Sequence, residues 1–193
     1  MPTATIISPL KEGHYYHIYN QGNNKERLFY RPANYNYFIR RYEEYLIGYT
    51  KTYSYCLMPN HFHLLVKILK PGASEQFRKM FQSFALGINK QQNRSGSLFR
   101  KHFRRKEIKT NRYLKRLVFY IHYNPEKDGF IEDFRQYKYS SYQTLIKRGR
   151  SKLARNELFK IYGSIDEFKT YHLVMKEQLK YFEPEFDSGL PTL

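Results

Sequence analysis

Two histidines one residue apart, His61 and His63, lie in the apolar stretch MPNHFHLL (58–65). The stretch is typical of a β-strand, on which side chains alternate between faces, so both imidazoles point the same way and their Cα atoms lie about 6.6 Å apart. Two imidazoles at that separation can bind one metal ion, while Phe62 and Leu64 face the opposite side and can join the core. Spacing alone favours, by roughly two to one, the alternative that both histidines are hydrogen-bonded structural residues.

A second stretch, FYIHYNP (119–125), supplies a candidate nucleophile and a further polar side chain. Tyr120 and Asn124 are four residues apart on a predicted helix, so they are neighbours on one flank of its apolar stripe. Tyr123 points away from that stripe. The alternative is that Tyr120 is a tyrosine at the rim of the core and that Asn124 is a helix-end residue before Pro125. Spacing alone leaves that alternative ahead.

The elements that must position these side chains follow from the hydrophobic periodicity. Strands are predicted over 14–20, 52–58, 61–69 and near 103–109, and helices over 32–49, 74–93 and 112–124. This order predicts an α+β fold with a ferredoxin-like antiparallel sheet and helices on one face. We expect Asn111 to cap the third helix, and Pro125 and Gly129 to end it.

The chain is expected to divide near residue 146. Residues 1–145 form the predicted domain that carries the site, and residues 146–193 form a C-terminal helical extension and tail. Within the extension, SIDE (164–167) has the pattern of a capping box in front of an amphipathic helix. The end of the chain, 183–193, is expected to be poorly ordered.

The composition is strongly basic. Lys and Arg total 34 against 17 Asp and Glu, and the net charge is +17. An excess of this size favours a polyanionic partner over a role in solubility alone. The chain also has 20 Tyr and 15 Phe but no Trp, and rings among cations suit stacking on unpaired bases as well as packing in a core.

The charge is concentrated in residues 90–116, which hold 11 Lys and Arg and one acid, Glu107. This segment leads directly into the predicted Tyr120 helix, so it is a candidate phosphate track, the alternative being a solvated surface. Phe99 and Phe103 within it can stack on bases or belong to the core. The candidate DNA-binding residues are Arg100, Lys101, Arg104, Arg105 and Lys106.

Five blocks of the sequence resemble the REP-associated tyrosine transposases, a branch of the single-tyrosine HUH transposases (His, hydrophobic residue, His). The blocks occur in the family's order and span residues 13 to 145, about two thirds of the chain. They are YHIYNQGNNKERLF (16–29), CLMPNHFHLLVK (56–67), GSLFRKHFRR (96–105), YIHYNP (120–125) and YSSYQ (139–143). The chain departs from the family at Gln21, where an Arg is usual, so a phosphate or base contact by that Arg is not expected.

The resemblance implies a ferredoxin-like fold, with His61 and His63 as the HUH pair that binds Mg²⁺ or Mn²⁺. It also implies Tyr120 as the nucleophile and Asn124 as the third metal ligand. The implied activity is that of a metal-dependent endonuclease and strand transferase acting on single-stranded DNA or DNA hairpins through a 5′-phosphotyrosine. His17 on the first strand is either an outer-shell residue of this site or a structural one.

Two alternatives differ in class from this enzyme. One is a non-catalytic DNA-hairpin-binding protein that retains the transposase fold. The other is a metal-dependent hydrolase of small phosphoesters, which accounts for the histidines but not for the charge. The DNA target, the general base and the choice between monomer and homodimer stay open.

The single cysteine, Cys56, cannot form an internal disulfide and favours a reducing compartment. The N-terminal residues lack the pattern of a signal peptide, and no window is long and apolar enough to span a membrane. We therefore expect a cytoplasmic, nucleoid-associated protein without membrane partners.

Overall fold

The computed structural model describes residues 9–100, 102–147 and 149–181. Within these ranges the chain forms four strands and six α-helices, with short 3₁₀ turns at Asn23–Lys25 and Phe134–Gln136. In chain order they are β1 (Tyr15–Gln21), α1 (Pro32–Leu46), β2 (Thr50–Met58), β3 (His61–Ile68), α2 (Ala73–Gln91), β4 (Arg104–Ile108), α3 (Asn111–Lys127), α4 (Tyr142–Ile146), α5 (Arg155–Tyr162) and α6 (Ile165–Tyr181).

The four strands form one antiparallel sheet in the order β2-β3-β1-β4. This order arises because β1 and β2, which α1 connects, leave a gap between them that β3 fills, as in a split βαβ unit. The two residues Pro59 and Asn60 connect β2 to β3 as a hairpin. The predicted ferredoxin-like α+β fold is therefore confirmed.

Helices cover both faces of this sheet, so the expectation of helices on one face is wrong. Phe62 and Leu64 join the core beneath α1 and α2, as predicted, whereas Leu65 packs with Ile121 of α3 on the other face. The physical reason is visible in β3, where Leu64, Leu65 and Val66 are consecutive apolar residues. A strand of this kind is buried on both faces.

Two helix starts were predicted from capping residues. At α3 the cap is Thr110, whose side-chain oxygen accepts a hydrogen bond from the backbone N–H of Tyr113 (3.2 Å), so the prediction of Asn111 is off by one residue. In front of α6, Ser164 accepts from the backbone N–H of Glu167 (3.0 Å), which confirms the serine half of the predicted capping box. Both hydroxyls satisfy an N–H that the first helical turn leaves without a partner.

The end of α3 is later than predicted, because Pro125 does not stop the helix. Proline removes only its own N–H from the hydrogen-bond ladder. The next turn continues, with the backbone N–H of Asp128 bonded to the carbonyl of Asn124 (2.9 Å). Gly129, with φ of +73°, then ends the helix as predicted. The additional turn places Asp128 beside the predicted site.

The C-terminal helices α5 and α6 pack against α3. Leu158 and Phe168 belong to the same buried cluster as Leu117 and Ile121. The division of the chain at residue 146 stays a prediction, and the tail over 183–193 lies outside the described residues. None of the helices in the described ranges is long and apolar enough to cross a membrane.

Candidate active site

Three polar side chains lie along one stripe of α3. Tyr120, Asn124 and Asp128 are spaced by four residues, so they lie on successive turns of the helix. Tyr120 and Asn124 are buried, and Asp128 is about one third exposed. The phase of the first two is the one predicted from the sequence.

Strand β3 brings both predicted histidines to this stripe. The rings of His61 and His63 lie 5.2 Å apart between centroids and nearly perpendicular to each other. His61 Nε2 is 3.4 Å from Asn124 Oδ1, and the ring of His63 meets that of Tyr120 at 5.5 Å between centroids. The structure therefore brings together the four side chains that were predicted to share a site.

A cleft of about 480 Å³ opens beside these residues, between the end of β1, the β2–β3 turn and the last turns of α3. His61, Tyr120 and Asn124 form part of its wall, and His63 lies fully buried behind it. The ammonium group of Lys127, also in the wall, lies 5.5 Å from the centre of the Tyr120 ring. A cation thus lies next to the predicted nucleophile. The other wall residues are Gln21, Lys25, Asn60, Asp128 and Phe130.

The hydrogen bonds of His61 determine which nitrogen carries its proton. Nδ1 lies 2.8 Å from Asn60 Oδ1, which can only accept, and Asn60 Nδ2 in turn donates to the carbonyl of Lys25 (3.4 Å). Nδ1 therefore carries the proton. Burial lowers the pKa of His61, against the opposing effects of Asp128 and Asn124, so the ring is neutral at pH 7. Its Nε2 lone pair then faces Asn124 Oδ1 at 3.4 Å and Asp128 Oδ2 at 3.8 Å. Three acceptors converge without a proton among them, an arrangement that favours a cation.

His63 is bonded to a third histidine, His17 on β1, at 2.9 Å between His63 Nδ1 and His17 Nε2. Burial lowers the pKa of both rings, that of His17 to about 3 with a contribution from the charge of Lys106. Both rings are therefore neutral, and one donates to the other. Within the described residues, His63 Nε2 and His17 Nδ1 are buried without a hydrogen-bond partner. A buried unpartnered group of this kind costs about 1–3 kcal/mol, so it calls for an explanation such as a ligand.

These atoms fit a divalent metal ion. When His63 Nδ1 donates to His17, its Nε2 presents the lone pair that a metal ligand needs, and His17 orients the ring. Together with His61 Nε2 and Asn124 Oδ1, this gives two nitrogens and one oxygen, and the Asp128 carboxylate lies 3.8 Å from His61 Nε2. Among the residues described, no group of three or more His, Cys, Asp or Glu is arranged to hold a metal. The donor set consequently depends on the amide of Asn124.

Strand alternation separates the predicted DNA-binding residues instead of lining them up beside the cleft. On β4, Arg104 and Lys106 lie on the face of the sheet that α3 covers. Arg105 lies on the opposite face, where Arg100 lines the same depression as Arg105. Lys101 lies outside the described residues.

Sequence reasoning missed part of the site. Asp128 continues the four-residue spacing of Tyr120 and Asn124, but the expected stop at Pro125 concealed it. Gln21, noted only as a departure from the family, pairs with His61 across β1 and β3 and therefore shares its face. The side-chain Oε1 of Gln21 is buried in the cleft wall, and no hydrogen-bond partner for it lies in the described ranges.

The α+β architecture with a four-stranded antiparallel sheet has a counterpart among solved structures. A REP-associated tyrosine transposase bound to a REP hairpin superposes with a TM-score of 0.64 at 16% identity, covering 76% of this chain and 87% of that one. At this level of identity the likeness establishes the fold.

The sequence comparison gives a relative by name. A Haemophilus influenzae protein named as a REP-associated tyrosine transposase is 27% identical over 110 residues, which cover 50% of this chain and 61% of that protein. The match therefore spans less than two thirds of the relative's length. No family model matches the chain. The predicted resemblance to the REP-associated tyrosine transposases is confirmed by this relative and by the shared fold.

Proposed function

We propose that the chain is a metal-dependent enzyme that nicks and joins single-stranded DNA at or near hairpins, with Tyr120 as its nucleophile. The observation that supports this most is the cleft wall itself. Tyr120 and Asn124 lie one helical turn apart in it, His61 Nε2 is 3.4 Å from Asn124 Oδ1, and His63 contacts the Tyr120 ring from behind. Unpartnered imidazole nitrogens serve no purpose in packing a core, whereas beside a tyrosine they can hold the metal ion that the proposed reaction needs.

In the proposed reaction, Tyr120 Oη attacks the phosphorus of the scissile phosphodiester. The Oη–P bond forms and the P–O3′ bond breaks, while the phenol loses its proton and the departing 3′ oxygen gains one from solvent. The products are a 5′-phosphotyrosine and a free 3′-OH. Because the protein–DNA phosphodiester retains the bond energy, a 3′-OH from another strand can reverse the step without ATP.

The surroundings of Tyr120 suit this role. A phenol has a pKa of about 10 and is a poor nucleophile at neutral pH, so negative charge on it must be stabilised. Lys127, 5.5 Å from the ring centre, supplies a positive charge beside the phenol. His61, His63 and Asn124 would hold the ion, with the Asp128 carboxylate beside them, 3.8 Å from His61 Nε2. The chemistry that a bound Mg²⁺ or Mn²⁺ would supply at these residues is polarisation of the scissile phosphate and stabilisation of negative charge.

The proposed partner is DNA, as a single strand or a hairpin. The net charge of +17 favours a polyanion, and Arg104 and Lys106 place cations on the same sheet face as the cleft. The similarly folded transposase is bound to a REP hairpin in its own structure, and we extend that kind of partner to this chain. Monomer and homodimer are both compatible with the proposal.

The test is a search for the covalent intermediate. A hairpin with a single-stranded flank is labelled at its 3′ end, since the fragment joined to Tyr120 retains that end, and is incubated with the protein and Mn²⁺. We expect a protein-linked band on a denaturing gel that EDTA abolishes. Tyr120→Phe should lose the band and keep binding. Tyr123→Phe is the matched control, because Tyr123 stacks on Phe119 and does not line the cleft.

Each outcome has a definite meaning. DNA binding without an adduct in the wild type would favour the non-catalytic hairpin-binding protein. An adduct that survives in Tyr120→Phe and disappears in Tyr123→Phe would show that the nucleophile is misassigned.

A further inference from the structure

A second cleft, of about 470 Å³, lies on the other face of the sheet, between the first turns of α2 and the segment that enters β4. Its wall combines cations with rings: Arg78, Arg100 and Arg105 on the one hand, Phe99 and Phe103 on the other. The cleft shares no wall residue with the Tyr120 cleft. It therefore needs an explanation of its own.

The charge of this cleft favours an anionic ligand. Glu75 is the acidic residue in the wall, and Arg78 binds both of its carboxylate oxygens at 2.6 and 2.7 Å. Arg100 and Arg105 then leave the wall with a net positive charge. Phosphate groups complement such a wall.

The rings of this cleft form a platform that is already in place. The Arg105 guanidinium lies over the Phe103 ring at 4.2 Å, and it donates a hydrogen bond to Ser74 of α2 at 2.8 Å. Phe103 rests against Phe77 and Phe81, at 5.5 and 5.3 Å between centroids, and keeps part of its surface exposed. A flat guanidinium and a partly exposed ring in fixed positions suit the face of an unpaired base.

The position of the cleft links it to the candidate active site. Asn20 and Gln21 are consecutive residues of β1, and alternation places Asn20 in the second cleft and Gln21 in the first. Arg100 is tied to both of them, since its N–H donates to the Gln21 carbonyl (2.9 Å) and its own carbonyl accepts from Asn20 Nδ2 (3.3 Å). The two clefts are thus separated by the end of β1 and the backbone at residue 100.

We propose that the second cleft binds unpaired nucleotides of the DNA strand whose phosphate lies at Tyr120, with one base stacked at Phe103 and Arg105. The proposal rests on the proposed function for the identity of that strand. Exposed His102 at the cleft holds a φ of +59°, and non-glycine residues with such backbone angles cluster at ligand sites.

The test compares two DNA hairpins, one with a single-stranded flank and one without, by fluorescence anisotropy in EDTA so that no cleavage intervenes. Loss of one base stack is expected to weaken binding of Phe103→Leu to the flanked hairpin about tenfold, and to leave the blunt hairpin unchanged. Arg105→Gln should have the same selective effect. The fluorescence of a 2-aminopurine in the flank should change on binding to the wild type and change less on binding to Phe103→Leu.

The matched control is Tyr49→Leu. Lys70 lies 4.1 Å from the centre of the Tyr49 ring, a similar cation–ring pair that lines neither cleft. This variant should bind both hairpins like the wild type. Melting temperatures of all variants separate a local effect from unfolding, and Arg105→Gln removes no core ring.

Unchanged affinity of both cleft variants for the flanked hairpin would overturn the inference, as would equal losses on the two hairpins. The result is independent of the covalent adduct. If the adduct forms but Phe103→Leu binds normally, the inference alone fails. If no adduct forms but the flank-specific loss appears, the nuclease proposal fails and the second cleft stands as a binding site.

Discussion

Two histidine pairs are buried in this protein. They differ in whether the ring nitrogens outside the bond within the pair have hydrogen-bond partners. His17 and His63 lie between the sheet and α3, and His122 and His172 lie between α3 and α6. Each pair is fully buried and joined by one hydrogen bond, at 2.9 Å and 3.0 Å. Burial lowers the pKa in both, so all four rings are neutral at pH 7.

The pair on the α6 side is closed by hydrogen bonds at every nitrogen. The backbone N–H of Tyr55 donates to Ser141 Oγ (2.9 Å), whose hydroxyl donates to His122 Nε2 (2.8 Å). His122 Nδ1 donates to His172 Nε2, and His172 Nδ1 donates to the carbonyl of Phe168 (2.8 Å). In this series of hydrogen bonds, the donor and the acceptor of each bond are determined. The series joins β2, α3 and α6, as a structural network does.

The pair at the cleft is open. In the part of the chain that the structure describes, His17 Nδ1 and His63 Nε2 have no hydrogen-bond partner. Both pairs bear the same desolvation cost, but the His17–His63 pair lacks the hydrogen bonds that would offset it. Equal burial combined with unequal bonding therefore separates a candidate ligand site from a structural pair, which the spacing of the histidines could not do.

The largest effect that tests this comparison is on metal binding. We expect His63→Leu to lower Mn²⁺ affinity by at least about 100-fold, since a direct ligand is lost and even supporting residues cost 10–100-fold. The matched change His122→Leu, on the neighbouring helix face, should alter Mn²⁺ affinity less than about twofold. Isothermal titration of the DNA-free protein measures both. Similar affinities in the two variants would remove the distinction between the pairs.

The reverse effect is expected on stability. His122→Leu leaves the hydroxyl proton of Ser141 without an acceptor and His172 Nε2 without a donor, at about 1–3 kcal/mol each, so we expect a loss of about 3 kcal/mol in the free energy of unfolding. His63→Leu leaves His17 Nε2 without a bond but also removes the unpartnered Nε2 of His63, so its net cost should be about 1 kcal/mol. Urea unfolding without metal gives both values. A greater loss in His63→Leu would mean that the cleft pair is the structural one.

Much of the site was predictable because it depends on local periodicity. Alternation on β3 placed His61 and His63 on one face, and the helical phase placed Tyr120 beside Asn124. The burial of both faces of the sheet also left a local signal in the consecutive apolar residues of β3, which the expectation of helices on one face overlooked.

Other features depend on contacts between distant segments, and no local pattern encodes them. His122 and His172 are 50 residues apart and meet only because α6 packs on α3. The second cleft arises because Arg104 and Arg105, adjacent in sequence, point to opposite faces of β4. A linear count of positive charge cannot reveal that division.

A smaller effect concerns the site of the His17–His63 pair and tests whether the Asp128 carboxylate contributes to metal binding there. Asp128 Oδ2 lies 3.8 Å from the His61 Nε2 lone pair, and a charged oxygen ligand strengthens binding of hard divalent cations. We expect Asp128→Asn to lower Mn²⁺ affinity about tenfold, about 1.4 kcal/mol. Glu132→Gln, which removes the same charge from an exposed residue outside the cleft, should leave the affinity unchanged. Equal affinities in the two variants would limit Asp128 to an electrostatic neighbour of His61.

The smallest effect concerns the closed pair and pH. Burial lowers the pKa of His172 to about 3 from its ordinary value of 6.5, with the bond to the Phe168 carbonyl opposing the shift. Between these two values the unfolded chain binds a proton at His172 that the folded protein does not, so this residue makes the free energy of unfolding fall as pH falls from about 6.5 to about 3. The contribution to the slope is about 1.4 kcal/mol per pH unit.

We expect His172→Phe, which keeps a ring among Phe119, Phe134 and Phe168, to be less stable overall, because the His122 Nδ1–H loses its acceptor. Its unfolding free energy should nevertheless depend less on pH, by about one proton, in urea titrations between about pH 4 and pH 6 without metal. Carboxylates titrate equally in both proteins and cancel in the difference. Identical slopes would mean that His172 takes up its proton in the folded state, and the hydrogen-bond chain from Tyr55 to Phe168 would then not be closed.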